Sequence, residues 1–215
     1  MKRSGQTLLE LVIAAGVISI STLAAITLII RTITVGTGSQ MKTEASNYAR
    51  EGVEVVRMIR DSNWLRADQN LPDGDDGLTK WDDERDTSFS NNNYYRPLFD
   101  PNNEGSTIAH YILNFTPTGG WTMTACAPTT SLCPVTARRI WLKQLTGQPV
   151  FARQGCGVAG CTIPTAYYRD IQITKVPETV AGVAGYYLDV LSSVTWSSRD
   201  GNHTVKAETR LYDWK

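Results

Sequence analysis

The chain has 215 residues, 41% of them hydrophobic, with 21 Lys and Arg set against 21 Asp and Glu. So balanced a charge supplies no general field for nucleic acid or an anionic surface, and no nucleic-acid partner is predicted. The length leaves room for one domain with a true core beyond any membrane segment.

Residues 5–30 read GQTLLELVIAAGVISISTLAAITLII, an apolar run preceded by Lys2 and Arg3 and interrupted only by Glu10. The 23 residues from Leu8 to Ile30, as an α-helix, extend about 35 Å, enough to cross the hydrocarbon of a bilayer. The basic pair at the start, with no further charge but Glu10 before Arg31, predicts a single pass with the amino end in the cytoplasm and the remainder exported. Glu10 stands out because a carboxylate in an apolar helix is costly and persists where it has a partner or a task. It also lies only three residues into the run, where a side chain can reach water at the inner interface, so its position alone fits either reading.

Gly5-Gln6-Thr7-Leu8-Leu9-Glu10, together with the Lys-Arg leader and the apolar helix that follows, resembles the processing site of type IV pilins and the pseudopilins of type II secretion systems. That family has a short basic leader ending in Gly and a Glu at the fifth position of the mature chain. The resemblance implies that a membrane-embedded prepilin peptidase cuts after Gly5 and methylates the new amino terminus at Gln6. It also implies that Glu10 acts in assembly. Gln6 departs from the pattern, since the family usually has Phe or another apolar residue there. An ordinary secretory signal would be cut after its apolar core, but no small-x-small site followed by a clean polar start is found: Ser19 and Ser21 fall mid-run and Leu23 to Ile30 continue beyond them.

The stretch RTITVGTGS at residues 31–39, with β-branched residues, Gly36 and Gly38, has low helix propensity and is expected to form a flexible joint. Helical periodicity returns with Met41, Ala45, Tyr48, Gly52, Val55 or Val56, and Ile59, spaced by three and four residues. This is one stripe for a core, with Lys42, Glu44, Asn47, Arg50, Glu51, Glu54 and Arg57 left for water or neighbours. The expected division is a leader over 1–5, a membrane-spanning and filament-core half-helix over 6–30, an amphipathic half over 31–64 ending near Asp61, and an exported domain over 65–215. A membrane anchor followed by an independent juxtamembrane helix is the competing reading.

Residues 67–103 are polar and turn-forming. Asp73, Asp75 and Asp76 form an acidic loop that fails the EF-hand template, because Gly77 and Leu78 occupy its fifth and sixth places. Some pseudopilins bind calcium, so the resemblance keeps a looser calcium site there in view; a solvated acidic turn is the simpler expectation. No other cofactor is predicted.

From Ile108 the period moves toward two. Ile108 to Phe115, Trp121 to Thr124, Arg139 to Leu145, Tyr168 to Val176, a strand carrying Tyr186, Leu188, Val190, Val194 and Trp196 on one face, and His203 to Trp214 with Val205, Ala207 and Leu211 inward are the strand candidates. Asp200-Gly201 marks a tight hairpin between the last two. The order predicts an α+β fold in which a late antiparallel sheet packs on the stripe of the long helix, which is also the pilin architecture.

Cys126, Cys133, Cys156 and Cys161 fall in the part predicted to be exported, where disulfides form. Local pairing, Cys126 with Cys133 and Cys156 with Cys161, is expected because each pair brackets a short turn-like stretch; the spacing is poor for a four-cysteine zinc knuckle. The only histidines, His110 and His203, are read as surface or edge residues rather than a catalytic pair. No nucleophile elbow, His-Glu-x-x-His pair or phosphate-binding glycine loop is present, so no catalytic residue is predicted.

By the resemblance, the chain is a pilin-like subunit, most simply a minor one. It waits in the cytoplasmic membrane and is assembled into a surface or periplasmic filament with other pilin or pseudopilin subunits, through a prepilin peptidase and an inner-membrane assembly platform. The alternative is an anchored extracytoplasmic binding domain or hydrolase that uses the helix only as a tether.

Overall fold

No proline precedes Pro72, so nothing in the first seventy residues removes a backbone donor or clashes with a preceding turn. In the computed structural model, which describes residues 4–68, 108–116, 120–126, 132–143, 151–154, 163–180 and 183–212, Ser4–Asp68 is a single 65-residue α-helix, α1. The joint expected at residues 31–39 is helical throughout, and the helix ends at Asp68 rather than near Asp61. Each glycine costs an exposed helix about 1 kcal/mol relative to alanine. That is too little at Gly36 and Gly38 to break hydrogen-bonded turns continuous on both sides.

The chain divides into two compact units, Met1–Thr43 and Glu44–Lys215. The first contributes helix alone. In the second, the remaining turns of α1 lie on a seven-stranded antiparallel sheet. Its strands are β1 (Ile108–Thr116), β2 (Gly120–Ala125), β3 (Arg139–Lys143), β4 (Phe151–Arg153), β5 (Ile163–Val180), β6 (Val183–Ser198) and β7 (Gly201–Leu211), with a four-residue helix, α2 (Val135–Arg138), before β3. The expected α+β class is therefore present. β4 and α2 carry no sequence signal, because three and four residues are too few to show a period.

β5 organises the sheet. One edge pairs along its length with β6, which pairs in turn with β7. The other edge is shared, with β1 on Ile171–Thr174 and β3 on Ile163–Tyr168. β6 and β7 are joined through Arg199 and Asp200, with Ser198 paired to Gly201. The turn thus lies one residue earlier than the Asp-Gly signal implied, and Gly201 opens β7 at φ 121°, a conformation natural to glycine.

The α1 stripe is buried as its period requires: Ala45, Ala49, Gly52, Val53, Val55, Val56 and Ile59 face inward. Val55, Val56 and Ile59 join Ala109, Tyr111 and Leu113 of β1, Ile171 and Ile173 of β5, Leu188 and Val190 of β6, and Leu211 of β7 in one apolar core. Each large aliphatic side chain so buried contributes about 1.5–3 kcal/mol. On β7 the positions of Val205 and Ala207 are half-buried and Leu211 is buried, alternating with exposed neighbours.

Helix and sheet come closest at Gly52. A Cβ there would collide with Ser192 Oγ and lie 2.8 Å from Ile171 Cδ1, so the position accepts only hydrogen. Gly52→Ala is expected to cost about 1–3 kcal/mol by overpacking, against a gain of about 1 kcal/mol in helix propensity. Denaturant unfolding of the full chain in detergent should show a net loss, part of which the second change Ser192→Ala restores.

Candidate functional site

The first candidate is the surface of α1 itself. Fifteen large apolar side chains from Leu8 to Val35 are exposed, from 49% at Ile26 to 71% at Leu11. A soluble helix would hide such a surface. Its hydroxyls are turned inward on the backbone: Ser19, Ser21, Thr22, Thr27, Thr32 and Thr34 each donate to the carbonyl four residues earlier, at 2.7–2.9 Å. These donors are satisfied without water, as a lipid-facing or helix-packed segment requires. Among the described residues this is the one helix long and apolar enough to cross a membrane. Gly5 and Gln6 lie in its first turn, and Glu10 is exposed on it.

The second candidate is a buried polar relay in the sheet. Arg169 is completely buried on the α1 side of β5. Its Nη1 donates to Glu51 Oε1 at 2.7 Å and to the Tyr48 carbonyl at 3.2 Å, both on α1. Its Nε donates to Gln154 Oε1 at 2.9 Å. Gln154, also fully buried, sits where β1 and β3 part company along β5. Its backbone N–H donates to the Leu113 carbonyl, and its Oε1 accepts from the Leu113 N–H. Its Nε2 donates to the carbonyls of Arg138 and Arg169 at 2.8 and 2.6 Å. One carboxamide thereby substitutes for the ladder hydrogen bonds lost at the split. Arg169 and Gln154 escaped the sequence reading, although Arg169 shares the inward phase of Ile171 and Ile173, and an inward charge on a strand demands a partner. Glu44, Glu51 and Arg57, assigned to water or neighbours, turn instead to the sheet: Tyr167 Oη donates to Glu44, Arg169 to Glu51, and Arg57 to Thr209 Oγ1.

The expectation for His110 is corrected. It is 7% exposed, on a strand flanked by β2 and β5, and its Nδ1 lies 2.7 Å from Oδ2 of buried Asp170. The sheet face away from α1 carries a second apolar layer, where Ile112, Cys126 and Cys133 cluster with Ala137 of α2. The expected Cys126–Cys133 disulfide is formed, with Cα atoms 5.2 Å apart. Cys156 and Cys161 lie outside the described residues, as do Asp73, Asp75 and Asp76. His203 is half-buried on β7, stacked on Trp196 and hydrogen-bonded to Ser198.

A groove of about 370 Å³ is lined by Glu54, Arg57, Met58, Asp61 and Ser62. Arg57 is engaged by Glu54 and Thr209, and Asp61 by Arg60, so no convergent charge is left for a small ligand. No cluster of metal-ligating side chains occurs among the described residues. No family model, curated protein or solved structure matches the chain.

Gln154→Ala strands several buried groups at about 1–3 kcal/mol each, so an unfolding free energy lower by more than about 3 kcal/mol is expected. Burial, reinforced by the hydrogen bond to Glu44, raises the Tyr167 hydroxyl well above its ordinary value, and burial, then Glu44 and Glu51, raises Tyr48. The folded state therefore holds these protons more tightly than the unfolded chain. The stability they confer is whole below the unfolded value of about 10 and is lost as pH rises through the raised folded values. Tyr167→Phe should flatten part of that alkaline decline, followed by circular dichroism against pH.

Proposed function

We propose that the chain is a pilin-like structural subunit, cut after Gly5 by a prepilin peptidase and drawn from the cytoplasmic membrane into a type IV pilus or pseudopilus. The observation that carries this reading is the uncovered apolar surface of α1 from Leu8 to Val35 with Glu10 near its start. A surface of that kind is stable in lipid or against sister helices. The leader Lys2-Arg3-Ser4-Gly5 and the Thr-Leu-Leu-Glu tetrad that follows Gln6 supply the route from one to the other.

The driving chemistry is electrostatic. Cleavage frees the amine of Gln6, whose positive charge survives a single methylation, and Glu10 of one copy pairs with that amine on a neighbour as both enter an apolar core. Unpaired charges there are expensive, so the pair acts as a register check on insertion. The Cys126–Cys133 bridge suits an oxidising compartment outside the membrane.

Mass spectrometry of membrane and sheared fractions from the native host is expected to find the mature chain beginning at Gln6. A start at Met1 in every fraction, or beyond Ile30, would sink the proposal and leave the helix as a tether. Glu10→Leu leaves an amine without its partner, a loss of about 3–5 kcal/mol when fully buried. Incorporation into sheared filaments should therefore fall by at least about a hundredfold, with processing intact.

A further inference from the structure

Between Ser4 and Met41 the chain carries two formal charges, Glu10 and Arg31. Both are exposed on α1, and neither makes a hydrogen bond or ion pair with another described residue. They stand 21 residues apart, or about 32 Å along the helix, close to the thickness of bilayer hydrocarbon. In a membrane, then, each sits at one edge and meets water, and neither bears the cost of the apolar interior.

Packing against other copies removes that water. A parallel neighbour in register sets Glu10 beside Glu10 and Arg31 beside Arg31, like against like. Between the two charged side chains, an axial displacement of 21 residues is the one parallel shift that sets acid against base; a shift of four residues sets Glu10 against the freed Gln6 amine and leaves Arg31 unmatched. Antiparallel pairing also matches the charges, but Lys2 and Arg3 orient every copy the same way in the membrane.

From this charge pattern we infer, resting on the filament reading above, that the docking partner of the α1 surface is a second parallel copy displaced by about 32 Å, with Glu10 of one accepting hydrogen bonds from the Arg31 guanidinium of the other. A carboxylate has two oxygens and room for several donors. The freed Gln6 amine of one neighbour and the guanidinium of another therefore share it without competition. Each copy offers Glu10 to one neighbour and Arg31 to a different one. Such a contact is heterologous and propagates rather than closing, and it sets the axial step of the stack.

The test uses the full chain in its native host with Arg31→Lys, which keeps the charge and supplies an amine. Sheared filaments are treated with a carbodiimide, which joins a carboxylate to an amine with no spacer. Residues 10 and 31 of one helix are too far apart to react, so every product joining Glu10 to the introduced lysine is between copies. We expect the Glu10 peptide joined to the residue-31 peptide in a ladder of multimers. Arg31→Lys should incorporate within about twofold of the parent, and Arg31→Gln at least about tenfold less.

Products joining Glu10 only to the Gln6 amine, with Arg31→Gln incorporating normally, would overturn the inference and leave the filament reading standing. Products that stop at dimers would overturn it in favour of a closed antiparallel pair. Normal filaments from Arg31→Gln with weaker membrane retention would overturn it too, assigning Arg31 to lipid headgroups. Retention of residues 1–5 in every fraction would instead remove the filament reading itself.

Discussion

An apolar helix surface that its own chain does not cover must find lipid or another protein, and this constraint governs the molecule. From Leu8 to Val35 the large side chains of α1 are exposed, and the hydroxyls between them bond back to the helix. Hydrogen-bonding groups that would hold such a segment in water are thereby withdrawn. The two charges that remain, Glu10 and Arg31, are spaced to rest at the edges of a bilayer. The same pair becomes selective once the surface is packed against protein.

From Glu44 onward the helix obeys a different rule. Small residues, above all Gly52, let it approach the sheet to within van der Waals contact of Ser192 and Ile171. Dispersion and burial supply the energy, but an apolar stripe can slide or rotate on an apolar sheet at small cost. The directional part comes from Arg169, which grips the Tyr48 carbonyl and Glu51 together. A buried charge is a poor source of net stability. Its penalty for misplacement, however, singles out one rotation and one register of α1 on β5.

Gln154 extends the same logic across the sheet. β5 is long enough that two strands, β1 and β3, share one of its edges, and the backbone groups at the junction have no ladder partner. A fully buried carboxamide meets them at both its ends and holds Arg169 Nε as well. The helix contact and the sheet split are thus parts of one hydrogen-bonded unit. On the opposite face, the Cys126–Cys133 bridge and α2 cover Ile112, on the face where the His110–Asp170 pair is buried.

Local pattern alone determined much of this protein. The length and apolarity of residues 8–30, the stripe from Ala45 to Ile59, the alternation on β1, β5, β6 and β7, the closing hairpin and the Cys126–Cys133 pairing were all legible, because each depends on neighbours within a few positions. Glu10 was legible as an oddity for the same reason. Only the tertiary structure decided that Glu44 and Glu51 turn toward the sheet, that His110 is buried against Asp170, and that Gln154 closes a gap between strands. Those outcomes depend on which residues, far apart in the chain, compete for the same buried hydrogen bond, and a one-dimensional pattern carries no record of that competition.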